Sequence, residues 1–527
     1  MRRSNHIRPV TLALASMHYR CLTGLIACAL LLLHTGVSST AAQVLSAPWV
    51  DEADDSIDAL RKADLKIFVI DPEMRQIRGA RVQVRQIRHA FPFGFRLHPE
   101  SWPKAIEIDD QATRPSAAND ADLADVAGAT ANVARTITID NAQPVGDTAT
   151  DDGQPTSATA TSAGESNDAT SGAAAPASPA GRRYAAAWSG EFSDLPVWRA
   201  FNAVSLEGMT AWRDIEPAAN AYRLNEVATW IARSREAGLM VRWGAMVGGD
   251  EADLPAWAPV LDDAAMVTSL ERYIRYMTQR FGGQVDHFDI YANQLDAQYV
   301  ESRLGVPMIG RLYQQAAMVS TPRTLAFENS YAGVRMPQMM RRTTMLREHM
   351  AGFDAVVLRG PLEGATTRPR LLRVLDWFAQ FDVPVILADL DIDGPSGAAA
   401  SLKMEETLRT AFAHPAVQGI WFRGVIEGET ASPASALINR DGVATLPGRV
   451  FEQLVRDHWW SNVEARTDVF GMTDVRVFAG DYEVLATYPS GEIARTVVRV
   501  RTDGPTQMVV IQPVAQPAAG DDAAVED

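Results

Sequence analysis

The chain has 527 residues and a formal net charge of −16. That length accommodates one large barrel with accessories or three ordinary domains. The acidic balance, with no long basic run, argues against nucleic acid or an anionic membrane surface as partners.

Both cysteines, Cys21 and Cys28, fall near the N-terminus. Residues 21–33 form an apolar run, and small residues follow up to Ala41 and Ala42. This is a secretory leader pattern over 1–42, with cleavage expected after Ala41 or Ala42. The run is short for a transmembrane span, and no other stretch of the sequence qualifies. The cationic stretch before it is long; a start at Met17 would leave His18, Tyr19 and Arg20 as a compact basic segment. The residues Leu25 to Cys28 look like a lipoprotein box, but the apolar run continues past Cys28, which favours coincidence. Once the leader is removed no cysteine is left, so no disulfide, thiolate nucleophile or sulfur metal site is expected.

Residues 43–90 read as a helix over 51–63, a strand over 65–70, a turn and a second strand over 80–84. Residues 91–102 contain an aromatic strand at 91–95. Over 103–183 the composition shifts to Ala, Thr, Ser, Asp, Gly and Pro, and aromatics vanish. Such a segment buries too little apolar surface to offset its ordering entropy, so a disordered insertion is expected. It is tolerable because loop closure entropy grows slowly with length.

From residue 184 to 460, short apolar strands alternate with amphipathic helices. Strands are expected at 203–206, 240–243, 287–291, 324–327, 355–358, 385–390 and 419–422. Helices are expected at 224–237, 264–280, 308–320, 337–351, 368–381, 401–413 and 449–458. With 91–95 this makes eight βα units, which implies a closed parallel (β/α)8 TIM barrel whose chemistry sits at the C-terminal strand ends. Residues 461–512 become all-β and read as a small module, and 513–527 form an acidic tail. The fold class is therefore α/β: a barrel with a short N-terminal β segment, a long insertion in its first βα loop and a C-terminal β-module.

The ordered series of strand-end residues resembles glycoside hydrolase family 10, the endo-β-1,4-xylanases, in the plant-type arrangement with a β-module. The resemblance is carried by Arg88 to Gly94, Phe201 to Val204 with Glu207, Trp212 and Glu216, His287 to Gly305, Leu387 to Ile392, and Ala413 to Ile420. Phe478 to Val484 is similar to the module that follows the barrel. The resemblance implies a retaining mechanism with two carboxyls about 5–5.5 Å apart. The acid/base position falls on Asn293, and the nucleophile position falls on Asp389. The family's strand-three histidine and tryptophan fall on Gly244 and Gly248, its strand-two asparagine and lysine on Gly208 and Ala211, and its strand-six glutamine and histidine on Arg359 and Pro361. The strand-eight tryptophan falls on Arg423.

An amide has no titratable proton near neutral pH, and losing general acid catalysis costs roughly 10²–10⁴ in rate. Asp389 keeps the charge but is one methylene shorter, and a displacement on the order of 1 Å can itself cost about 10². The resemblance with these losses implies a secreted or periplasmic pseudoenzyme that binds polysaccharide or oligosaccharide of the xylan type. Candidate binding residues are Glu207, Trp212, Arg242, Asn329, Arg359, Asp391, Arg423 and Glu427. The arginines leave two arrangements open: a pocket rebuilt for an acidic sugar or other anion, since guanidinium forks grip carboxylates, or Arg359 or Arg423 simply neutralising Asp389. Two further functions stay open as well. One is an active hydrolase with Asp389 as nucleophile or base and Glu207, Glu427 or Asp391 as acid. The other is an interaction protein of the cell envelope. Trp243, Trp257, Trp421, Trp459 and Trp460 could stack on sugars, although packing is the default for each. His287 and His414 stand alone, so no metal site or cofactor is expected, and oligomeric state is not legible.

Overall fold

The structure is a computed structural model that describes residues 48–98, 132–133, 196–293, 295, 298–327, 335–349, 352–394, 396–430, 432 and 435–513, with the side chains of 132, 133, 196, 198 and 293 excepted. The expected leader, almost all of the expected insertion and the acidic tail therefore lie outside the described residues. Met1–Glu52 and Ala53–Asp527 form separate units, and every strand belongs to the second.

In chain order the strands are β1 (Lys62–Val69), β2 (Arg81–His89), β3 (Phe93–Arg96), β4 (Asn132–Val133), β5 (Ala203–Ser205), β6 (Met240–Trp243), β7 (Val247–Gly248), β8 (His287–Asn293), β9 (Arg323–Phe327), β10 (Ala355–Leu358), β11 (Pro361–Glu363), β12 (Val385–Asp393) and β13 (Val417–Phe422). Five more complete the series: β14 (Asn462–Arg466), β15 (Met472–Phe478), β16 (Gly480–Thr487), β17 (Ile493–Val500) and β18 (Gln507–Ile511). Eight of them pair in parallel in the order β10-β9-β8-β6-β5-β3-β13-β12, and β12 returns to β10 to close the barrel. Ala355 to Leu358 shows why short apolar runs make these strands: all four residues are buried, as a strand covered on both faces requires. The helices between them are amphipathic and start on local signals. In the helix Asp263–Phe281, for example, the Asp262 carboxylate accepts the Ala265 N–H at 2.8 Å.

Trp421 fills the barrel interior, clustered with Ala203, Ala326, Ala355 and Ala388. A Cβ added at Gly94 or at Gly419 would lie 2.3 Å from its ring. One large side chain thus packs among small neighbours, as a jigsaw interior demands.

The N-terminal and C-terminal strands share sheets. β1 lies between β15 and β18, and β2 lies between β14 and β16. Leu65, Val84, Val477, Tyr482 and Val509 meet in one buried cluster. The residues before the barrel and those after it therefore build the same β-sandwich. Arg61, at the end of the helix Pro48–Arg61, ties this region to the barrel: it donates to the carbonyls of Phe412, His414 and Val417 at 2.7–2.9 Å. Burial lowers its guanidinium to about 10. Among the described residues no helix is long and apolar enough to cross a membrane.

Candidate functional site at the barrel mouth

Asp389, the position the resemblance gives to the nucleophile, lies within β12 where the register against β13 shifts. Its φ is +48°, a left-handed conformation that Asp tolerates better than most residues. A bulge of this kind re-aims a side chain at a barrel rim. The Asp389 carboxylate accepts from Arg359 Nη2 at 3.0 Å. The same nitrogen contacts Glu207, which follows β5. The other Glu207 oxygen lies 3.5 Å from Arg242 Nη1, and Arg242 grips Asp289 through Nε and Nη2. Ser205 Oγ and Thr324 Oγ1 complete this ladder, on Arg242 at 3.1 Å and on Asp289 respectively. Carboxylate and guanidinium thus alternate from Asp389 down into the barrel. Burial alone would push the Asp389 carboxyl up, but Arg359, Arg96, Arg242 and Arg423 outweigh it and hold the carboxyl below the ordinary Asp range.

The structure brings Glu207, Arg242, Arg359 and Asp389 together. Of the two arrangements open from the sequence, Arg359 does pair with Asp389. Two expectations need correction. Arg242 does not reach an open mouth but is fully buried beneath it, because Asp289 and Glu207 hold it. Trp212 is also fully buried, stacked on Tyr273 and edge-on to Trp257, with its Nε1–H donating to Glu216 at 2.8 Å, so no face is left for a sugar. Trp243, Trp421 and Trp459 are likewise enclosed, and Trp460 is covered by Arg456 at 3.9 Å.

Asp391 is buried and accepts from Ser435 Oγ. Glu427 sits apart and half-exposed, with Arg440 at 3.7 Å. Arg423 is half-buried at the end of β13, its carbonyl contacted by His98 Nε2 at 2.9 Å. The backbone of Asn293 ends β8 opposite Phe327. Asn329 lies outside the described residues.

Three of the positions that the resemblance gives to larger residues, Gly208, Gly244 and Gly248, have no room for a Cβ. A Cβ at Gly244 would lie 2.7 Å from the Glu207 Cβ and 2.8 Å from its Cα, and one at Gly248 would lie 2.1 Å from Asp253 Oδ2. At Gly208 a Cβ would lie 2.6 Å from Arg96 Nη2. Arg96, which sequence reasoning missed, ends β3 and donates from Nε to the Glu207 carbonyl at 3.0 Å. Its only sequence signal was an arginine at the end of a barrel strand. Beside it opens a cleft of about 1010 Å³, walled among others by Arg96, His98, Glu207, Gly208, Arg223 and Tyr276.

The closed (β/α)8 barrel carries these carboxylates and arginines at its C-terminal strand ends, the face on which barrel proteins place their sites. Residues 190–439 match the family model of Glycosyl hydrolase family 10, and the chain is glycosyl hydrolase family 10-like. It is 23% identical over 295 residues to the anti-sigma-I factor RsgI6 of Acetivibrio thermocellus, covering 55% of this chain and 38% of that protein. It is 21% identical over 305 residues to endo-1,4-beta-xylanase 2 of Arabidopsis thaliana, covering 57% of this chain and 28% of that protein. The chain thus spans well under half the length of either relative. Among solved structures it is similar to native xylanase 10B from Thermotoga maritima, with a TM-score of 0.45, 15% identity, and coverage of 54% of this chain and 93% of that one.

Proposed function

We propose that this protein is a non-hydrolysing glycan-binding barrel whose ligand is of the β-1,4-xylan type, and that it works outside the cytoplasm after loss of its leader. The observation that carries this reading is the ionic ladder. Asp389 is bonded to Arg359, which also holds Glu207, so the carboxylate at the nucleophile position is ionised and already partnered. A nucleophile needs a free lone pair aimed at the anomeric carbon, and a general acid needs a proton. Asp389 is one methylene shorter than the glutamate of the resemblance and is tied to Arg359 through Oδ2, and Asn293, an amide, cannot supply a proton. The xylanase names of several relatives support the class of glycan. A further relative is named an anti-sigma factor rather than a hydrolase, which supports a signalling role beside the glycan-binding one.

The test is calorimetric titration of the full chain with a neutral xylo-oligosaccharide, with product analysis of the same mixture. Binding with no new reducing ends is expected. Product formation abolished by Asp389→Ala would establish an active hydrolase instead. Absence of binding, together with capture of an envelope protein through the β-sandwich, would establish an interaction role.

A further inference from the structure

Around the mouth, most cations have fixed partners. Arg242 and Arg359 belong to the ladder, and Arg213 holds Asp253 at 3.5 Å, Asp214 at 3.8 Å and the Ala252 carbonyl at 2.7 Å. Arg96 and Arg223 differ. Among the described residues neither guanidinium is ion-paired, although Arg96 donates from Nε to the Glu207 carbonyl and adds to the positive field on Asp389, and both line the cleft of about 1010 Å³. Of the acids on the same wall, Glu207 belongs to the ladder and Asp214 lies by Arg213, while Glu226, exposed in the first turn of the helix Asn225–Glu236, is favoured there by the helix dipole. Tyr222 and Tyr276 form a ring pair on this wall, with centroids 4.7 Å apart and planes 30° apart. Tyr276 is 39% exposed. Arg272 fixes Tyr222 by donating to its hydroxyl at 3.2 Å while gripping Glu216 at 2.5 Å.

We propose that this cleft binds a carboxylate-bearing sugar, with Arg96 and Arg223 as counter-ions of the carboxylate and the Tyr222–Tyr276 pair against an apolar sugar face. The inference rests on the glycan-binding reading and names the sugar class. Arginine suits a carboxylate because its planar fork donates two parallel hydrogen bonds. The negative face of an aromatic ring attracts the C–H edge of a sugar. Gly208 makes the arrangement possible: at φ +96° and without a Cβ, it leaves the space that Arg96 Nη2 occupies. The chain's net charge of −16 repels anions in general, so a preference for an acidic glycan has to arise locally.

The experiment compares a neutral xylo-oligosaccharide with the same backbone bearing one glucuronic acid branch, titrated into the full chain and into Arg96→Gln, Arg223→Gln and Tyr276→Ala variants. The acidic ligand is expected to bind about tenfold more tightly, the effect of one well-made charge-assisted contact. Arg96→Gln and Arg223→Gln should each lower the affinity for the acidic ligand more than that for the neutral one, and so shrink that ratio. Tyr276→Ala should weaken both ligands together. A wild-type ratio of one, or a ratio untouched by both arginine variants, overturns the proposal. If the neutral ligand binds and the ratio is one, the sugar class is wrong while the glycan-binding function stands. If neither ligand binds, both fail.

Discussion

Arg359 Nη2 stands between two carboxylates, 3.0 Å from Asp389 Oδ2 and in direct contact with Glu207 Oε1. One cation therefore serves both acids, and their removal is not equivalent to its own. Asp389→Asn leaves Arg359 with Glu207 and should cost about 1–3 kcal/mol, the range for a lost charged hydrogen bond. Arg359→Gln removes the direct partner of the buried Asp389 and leaves Glu207 only Arg242 at 3.5 Å, and should cost about 3–5 kcal/mol. The double variant should cost less than the sum. A double-mutant cycle in urea checks this, and strict additivity would contradict the shared pairing.

The same pair has a pH signature. The Asp389 carboxyl is depressed in the folded state, so the unfolded chain takes up its proton first as pH falls. Its stabilisation is fully present above the ordinary Asp range and is lost as pH falls through the lower folded value. The gap between wild type and Asp389→Asn should therefore close in acid, as measured by unfolding at pH 7 and at successively lower pH.

His89 gives a second window. It ends β2, and its Nδ1 accepts the Phe91 N–H at 2.9 Å. Burial first, and Arg61 after it, push the imidazole down to about 3. Between the ordinary His value near 6.5 and that folded value, the unfolded chain is protonated and the folded chain is not. Stability should therefore fall as pH drops through this window, by about 1.4 kcal/mol per pH unit from this residue. His89→Gln should flatten the slope between pH 6.5 and 4 in urea melts, and an unchanged slope would exclude His89 as its source.

The strands and helices of the barrel were legible in the sequence because buried parallel strands are short, apolar and bounded by turns. Ala355 to Leu358 is the clearest instance, bounded as expected from its pattern. The sharing of sheets was not legible. Lys62 pairs with Phe478 and Arg81 with Thr487, and no local pattern marks partners some four hundred residues apart. Arg61 was hidden for the same reason, since the carbonyls it clamps lie on the far side of the barrel sequence. At the site, the identities of Asn293 and Asp389 could be read from their positions, but which arginines were engaged could not. Arg242 and Arg223 are both arginines beside barrel elements, and only the fold shows one held by Asp289 and the other on an open wall.

Restoring the two glutamates should not restore hydrolysis. In Asn293→Glu with Asp389→Glu, Arg359 still captures the second acid. The positions that the resemblance gives to histidine and tryptophan also stay closed: the Glu207 backbone and Asp253 stand where a Cβ at Gly244 or Gly248 would go. The expected outcome is a folded protein with no release of reducing sugar from xylan. Measurable turnover would show that the cleft accepts substrate despite these contacts.

Gly208→Ala tests whether a bare position builds the mouth. The substitution forces a side chain onto φ +96° and brings its Cβ to 2.6 Å from Arg96 Nη2. Backbone strain of this kind costs about 1–3 kcal/mol, and the contact must also displace Arg96. Gly283→Ala is the matched control, since its φ is +81° and a Cβ there meets nothing within 4 Å. Both variants should lose stability in urea to a similar degree. Only Gly208→Ala should lose the preference for the glucuronic acid-bearing oligosaccharide over the neutral one. Equal effects of the two variants on that preference would mean that Arg96 does not depend on the space at Gly208.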